Sequence, residues 1–366
     1  MSYKIFTLSP GSTSTKLAVF EDDKQIFKAN VTHDPEVLKS FTEIKDQLPF
    51  RKQTILDELA KAGIDLKDID AYSAYSGGLV PMQAGFYAVD DFVVEDSFAG
   101  RVNHPAILGA GLIYELAAPY GKPCFINPPD ADEFEDLARI TGIKGVYREC
   151  RVHILNQKEV AMRYAAEIGK KYEEGNFIVA HVGGGLSVSA QKHGRIVDSN
   201  DVLNGSGPMA PNRSGTVPAM PIVKMCFSGK YTEKDMKNLI GKTGGLIDHL
   251  GTDDTRKIEE MIHAGSKYAK LIYDAMAYQL AKEIGALAVV MDGKVDGIVL
   301  TGGVSNDEYF VENVRKKVDW IAPVKAYGGD FEMEALAAGA IRCLKGEEKA
   351  LAYTADPVFK GFEIDL

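Results

Sequence analysis

Cysteine is scarce in this sequence and never closely paired. Cys124, Cys150, Cys226 and Cys343 are scattered, with no CxxC among them, which points to reduced, mostly buried thiols. No apolar run approaches the ~20 residues that a membrane span needs. The densest stretch, Ile284 to Met291, reads as the end of a buried helix or a core strand. The first residues lack a basic segment followed by a long apolar one, so no secretory signal is visible, and Asn-x-Ser/Thr triplets such as those at Asn30 and Asn212 read as accidental. A basic excess is missing too: the net charge is −10, which argues against non-specific nucleic-acid binding. The expectation is a cytoplasmic protein with neither a membrane nor a nucleic-acid partner.

Two common nucleotide signatures are also absent. Gly241-Lys242-Thr243 has the tail of GxxxxGK[ST], but Met236 stands where the first glycine belongs. No GxGxxG opens a helix after the first strand.

What is present is a 366-residue chain, 45% hydrophobic and 26% charged, long enough for two domains. Period-2 and β-branched patterns predict strands at 3–8, 16–20 and 25–31, joined by short turns. The arrangement returns at 177–182, 186–191 and 196–198. Each half thus begins with a β-meander whose first turn is rich in glycine or hydroxyl groups. Helices are predicted at 51–62, 106–118, 156–173 and 267–284, a buried strand at 296–303, and a last helix from Glu332.

The turns carry the chemistry. In Ser9-Pro-Gly-Ser-Thr-Ser-Thr-Lys16, Gly11 lets backbone N–H groups point at an anion, Ser12 and Ser14 add hydroxyl donors, and Lys16 adds a positive charge. Taken alone, this turn reads equally as a polar hairpin. Gly183 to Gly185 leave no side chain between backbone and ligand, and a strand feeds Gly302-Gly303. Three such turns, two on matching meanders, point to a hinged two-domain nucleotide site.

The segments SPGSTSTK, AHVGGG and VLTGGVSN resemble the first phosphate, second phosphate and adenosine motifs of the acetate and sugar kinase/actin superfamily. Within it the chain is similar to the acetate kinase branch, and to butyrate kinase and branched-chain fatty acid kinase in particular. Supporting runs are RVHILNQKEVA, GSGPMAPNRSGTVP, CFSGKYT and AMAYQLAKEIGA. The resemblance implies an α/β fold of two actin-like (ribonuclease H-like) domains, each a mixed sheet flanked by helices, around a nucleotide cleft. Residues 1–153 would form the first domain, with the first phosphate motif and the acid-substrate region. Residues 154–332 would form the second, with the helix near 333–366 packing back on the first.

The resemblance also implies ATP, Mg²⁺ and transfer of a phosphoryl group to a small carboxylic acid, in a homo-oligomer, dimer or larger. His153 would bond the phosphoryl group in flight, or else be a core histidine. Arg213 would stabilise the equatorial oxygens, or else form a structural ion pair. His181 and Gly183 to Gly185 would hold phosphates, together with Ser12, Ser14 and Lys16. Gly302 and Gly303 would sit by the adenosine, and Ser76, Gly77 and His104 by the acid. Glu332 and Asn127 would serve the metal; Glu332 is otherwise a helix N-terminal carboxylate favoured by the dipole.

Four positions depart from the family pattern. Ser9 replaces an Asn, Ser76 an Arg before Gly-Gly-Leu, Asn127 an Asp before Pro, and Ser206 an Asp. Losing an Arg clamp on a carboxylate is not conservative; Arg101 or His104, close along the chain, would be the replacement for the missing charge. The reading is a kinase for butyrate or a branched-chain acid. The alternative is a divergent member with another acceptor, or with only a nucleotide-binding, regulatory role.

Overall fold

The computed structural model describes residues 2–363. Contacts divide the chain into two compact units: residues up to Asp132 with those from Phe331 onward, and Glu133–Asp330.

The first unit opens with the meander β1 (Lys4–Pro10), β2 (Ser14–Glu21) and β3 (Lys24–Thr32). β4 (Ala71–Ala74), β5 (Phe86–Ala88) and β6 (Pro123–Ile126) complete a mixed sheet in the order β3-β2-β1-β4-β6-β5. β1 is central, so its side chains are buried on both faces. Phe6, Leu8, Leu17 and Val19 share a core with the helices Leu48–Lys61 and Leu108–Ala117. The helix Glu332–Leu344 packs on the same sheet. At Gly339 it comes so near that an added Cβ would lie 2.3 Å from Ile126.

The second unit repeats the plan. β7 (Asn176–Val182), β8 (Leu186–Lys192) and β9 (Arg195–Ser199) form a meander, and β10 (Gly297–Gly302) and β11 (Val324–Gly328) add parallel to β7. The order β9-β8-β7-β10-β11 matches β3-β2-β1-β4-β6 strand for strand. Helices Ile154–Glu167, Lys267–Val290 and Glu308–Val318 flank this sheet. Ile272, Met276, Leu280 and Ile284, a stripe at i+4 spacing in the predicted helix, are buried in one core with Val188, Ile298 and Leu300.

Several expectations change in detail. The helix predicted to reach 173 ends at Glu167, because Gly169 takes a left-handed φ of 71°. Of the two readings open for Ile284 to Met291, the helix end is the one found: the helix Lys267–Val290 stops before Met291. Gly241-Lys242-Thr243 lie at the C-terminal end of the helix Glu233–Gly241; a P-loop would place them at an N-terminus. Cys124 and Cys150 are buried, but Cys226 is exposed. Residues 133–153, grouped by sequence with the first half, make their contacts in the second unit. There Glu133 Oε2 lies 2.8 Å from Lys158 Nζ, both side chains only 7% exposed, and also accepts from Ile196 N at 2.9 Å.

Candidate active site

In the second unit the turn between β7 and β8 is closed by a bond from Gly183 N to Gly185 O at 2.9 Å. Its glycines are required by what packs on them. An added Cβ would stand 3.0 Å from His181 Nε2 at Gly183, 2.7 Å from Asn212 Nδ2 at Gly184 and 1.9 Å from Arg213 Nη1 at Gly185. The predicted turn, His181 and Arg213 are therefore one cluster.

Arg213 donates through Nη1 to Val202 O at 3.1 Å, while its Nε is buried without a hydrogen-bond partner. Among the described residues no carboxylate lies within ion-pair distance of it, so the structural ion-pair reading falls away. Burial pulls its pKa down, and Asp201 nearby partly restores it. A buried donor with no partner inside the chain is one that an anionic ligand would satisfy.

His153 sits just before the helix Ile154–Glu167 and its ring stacks on His181. Burial, His181 and Arg213 hold its pKa well below the usual imidazole value, so it is neutral near pH 7. The tautomer follows from its neighbours. Gln157 Nε2 lies 2.9 Å from the carbonyl of Ser187, which can only accept, so the amide orientation is fixed. The same NH₂ group donates to Ser187 Oγ at 2.9 Å. Ser187 Oγ also accepts from His153 N at 3.3 Å, which fills its second lone pair, so the hydroxyl donates to His153 Nδ1 at 2.7 Å and His153 carries its proton on Nε2. Similarly, Asn156 Nδ2 donates to Asp330 Oδ1 at 3.2 Å, which turns Asn156 Oδ1 toward His181 Nδ1 at 3.3 Å. His181 thereby holds a proton on Nδ1.

Beside this cluster lies a cleft of about 500 Å³, bordered by Gly183, Gly184, Gly303, Asn306, Arg256 and Glu259 among others. The second phosphate turn and the predicted adenosine turn thus line one cavity. Gly302 has φ 89°, and a Cβ there would strike Val182 O at 2.4 Å; at Gly303 the space is open. Burial and the neighbouring Asp307 carboxyl raise the pKa of Glu259.

In the first unit, Ser12 is exposed and Ser14 half-buried on the β1–β2 turn. Lys16 Nζ lies 4.0 Å from Glu332 Oε2, so those two predicted residues meet. Asn127 is buried at the end of β6 with a positive φ of 43°. Ser76 is 1% exposed, and its Oγ accepts from Ala110 N at 3.0 Å. A Cβ on Gly77 would meet Pro129 at 2.9 Å. His104 Nδ1 caps the turn that follows it, accepting from Ala106 N at 3.1 Å. Arg101 is committed to Asp96 through three bonds, two of them to the carboxylate, and to Gly78 O at 3.1 Å.

No three His, Cys, Asp or Glu side chains gather as a metal cage among the described residues. Magnesium does not need one, since it keeps waters and takes phosphate oxygens with one or two carboxylates. Glu332, beside Lys16, fits that requirement.

Sequence reasoning missed Asn156, Gln157, Ser187 and Asp330, which orient the histidines. The run His153-Ile-Leu-Asn-Gln carried a signal: two amides open a helix whose first turns are wholly buried.

Residues 144–342 match the model of the acetokinase family. A Porphyromonas gingivalis acetate kinase is similar in structure, with a TM-score of 0.77 at 20% identity, covering 93% of this chain and 100% of that one. A propionate kinase from Francisella tularensis follows at 0.72 and 17%, covering 92% and 98%. A ROK hexokinase from Thermus thermophilus gives 0.50 at 15%, covering 94% and 99%. The fold is accordingly the α/β, actin-like ATPase fold of acetate and sugar kinases, as expected.

Proposed function

The chain belongs to the acetokinase family, and we propose that it transfers the γ-phosphoryl group of ATP, reversibly, to a short-chain carboxylic acid, butyrate or a branched-chain acid, giving an acyl phosphate. The observation that carries this reading is the cluster of Arg213, His153 and His181 on the Gly183–Gly185 turn, next to a cleft that Gly303 also borders.

Phosphoryl transfer spreads negative charge over the equatorial oxygens, and positioned donors supply most of the stabilisation. Arg213 offers a guanidinium with a buried, unsatisfied N–H. His153 offers Nε2–H without adding a charge that could leave with the product. Gly183 to Gly185, Ser12, Ser14 and Lys16 are the proposed phosphate contacts, and Gly302 and Gly303 the adenosine contacts. Bound Mg²⁺ would neutralise phosphate charge, with Glu332 and Asn127 as the protein groups serving it. A carboxylate acceptor is already nucleophilic at neutral pH, so no general base is required.

A second reading has its own support. Ser76, where a butyrate kinase would carry an arginine, is buried on the Ala110 amide, and Arg101 is held by Asp96. Neither offers a cation to a substrate carboxylate, which favours an altered acceptor or a nucleotide-binding, regulatory role. We also propose a homo-oligomer: the helix Ala219–Cys226 buries none of its residues, and Met220 and Phe227 are 63% and 87% exposed. Light scattering tests it. Among the described residues no helix is long and apolar enough to cross a membrane, consistent with the proposed cytoplasmic location.

ADP release and hydroxamate formation over a panel of C2 to C6 straight and branched acids test the reaction. Acid-dependent ADP release with butyrate or isobutyrate supports the kinase reading. ATP binding without acid-dependent turnover selects the regulatory one.

A further inference from the structure

Arg51 is the most unusual charged residue in the molecule. It lies in the helix Leu48–Lys61, is 0% exposed, and heads the largest fully buried side chains. Among the described residues no carboxylate pairs with it. Its guanidinium instead grips the β1–β2 turn from below. Nη1 donates to Gly11 O at 2.8 Å, Ser14 O at 3.3 Å and Thr15 Oγ1 at 3.2 Å, Nη2 to Ser12 O at 3.4 Å, and Nε to Gln47 Oε1 at 3.0 Å.

An isolated buried charge is costly even when its hydrogen bonds are made, because hydrogen bonds to neutral groups do not cancel it. Nearby groups make no concession. His33, bonded to the same Thr15 hydroxyl at 2.8 Å, is kept neutral by burial and by Arg51 itself. Burial brings the Arg51 pKa only down to about 10, so the charge persists at neutral pH. Three carbonyls of the turn are drawn inward onto the guanidinium, while Ser12 and Thr13 stay exposed.

We propose that Arg51 is a buried counter-charge for the polyphosphate of ATP, acting through the turn as a positioning residue. It draws carbonyl dipoles away from the anion and places a fixed positive charge beneath the hydroxyls of Ser12 and Ser14. The inference rests on the reading of that turn as a phosphate contact.

The test compares Arg51→Met, which removes the charge, with Arg51→Lys, which keeps it but loses the fork. Affinity for MgATP is measured by calorimetry, and the KM values for ATP and for the acid by steady-state kinetics. Arg51→Met should lose at least ~10-fold in ATP affinity, with the acid KM within about 2-fold of wild type, and Arg51→Lys should recover most of the loss. Equal ATP affinity in folded Arg51→Met, or an equal loss in both variants, overturns the proposal. Should Arg51→Met not fold, Arg51→Gln, which keeps an N–H donor pair without charge, gives the same decision. Ser14→Ala and Lys16→Ala separate the two levels. If they leave ATP affinity unchanged, the phosphate reading of the turn itself fails; if they weaken it while Arg51→Met does not, only the role of Arg51 fails.

Discussion

The imidazole rings of His153 and His181 lie stacked, their centroids 3.9 Å apart and their planes 12° from parallel. Two cations could not sit so close in a buried site without strong repulsion. Burial, His181 and the adjacent Arg213 keep His153 neutral. Its pKa lies far below 6.5, so the profile of kcat between pH 6 and 8 should contain no step from His153. The check is the same profile for His153→Gln: a step near pH 6.5 present in wild type and absent in the variant contradicts this assignment.

Ser187→Ala removes the hydroxyl that fixes the His153 tautomer. The expected result is a fall in kcat of about 10-fold, with ATP affinity little changed. In ¹⁵N-edited NMR the His153 side chain should shift from the Nε2–H pattern to a tautomer mixture. Unaltered nitrogen shifts would remove Ser187 from this role.

Gly185→Ala should be far worse for turnover than for folding. Its Cβ would fall 1.9 Å from Arg213 Nη1, so the guanidinium must move. Loss of one such transition-state donor typically costs about 10²–10³ in kcat. Gly183→Ala, at 3.0 Å from His181 Nε2, should be milder. Steady-state kinetics with thermal melts on both variants decide the order.

His33 makes the fold acid-sensitive. It is 1% exposed, its pKa is lowered to about 4 by burial and then by Arg51, and its Nδ1 has no partner. The unfolded chain binds a proton below pH ~6.5 that the native state refuses until about pH 4, so stability falls as pH drops through that window. The full shift corresponds to about 3 kcal/mol. Urea midpoints for wild type should decline from pH 7 to pH 4.5 more steeply than for His33→Gln.

Breaking the pair between Glu133 and Lys158 should destabilise the second unit. Both side chains are 7% exposed, and removing one partner of a buried pair costs roughly 3–5 kcal/mol. Lys158→Met alone should therefore lower the urea midpoint more than Glu133→Leu/Lys158→Met together. Additive losses would show that the two residues are not coupled.

Local pattern was enough to determine the two meanders, the glycine-bearing turns and the helical stripes, since alternation, helical period and glycine act over a few residues. The matching strand orders were decided by pairing across the chain, and Arg213 was tied to Gly183–Gly185 and His181 only by the family resemblance until the fold brought them together. Tertiary structure alone decided what lies beneath them. Ser187 reaches His153 from 34 residues away and Arg51 reaches Gly11 from 40, separations at which no periodicity speaks. Ser76, singled out for a substrate role, proved to be engaged by a helix amide, and residues 133–153 joined the second unit through a buried ion pair. Hydrogen bonds and charges are satisfied by whichever groups the fold brings near, and in a buried site those groups come from anywhere along the chain.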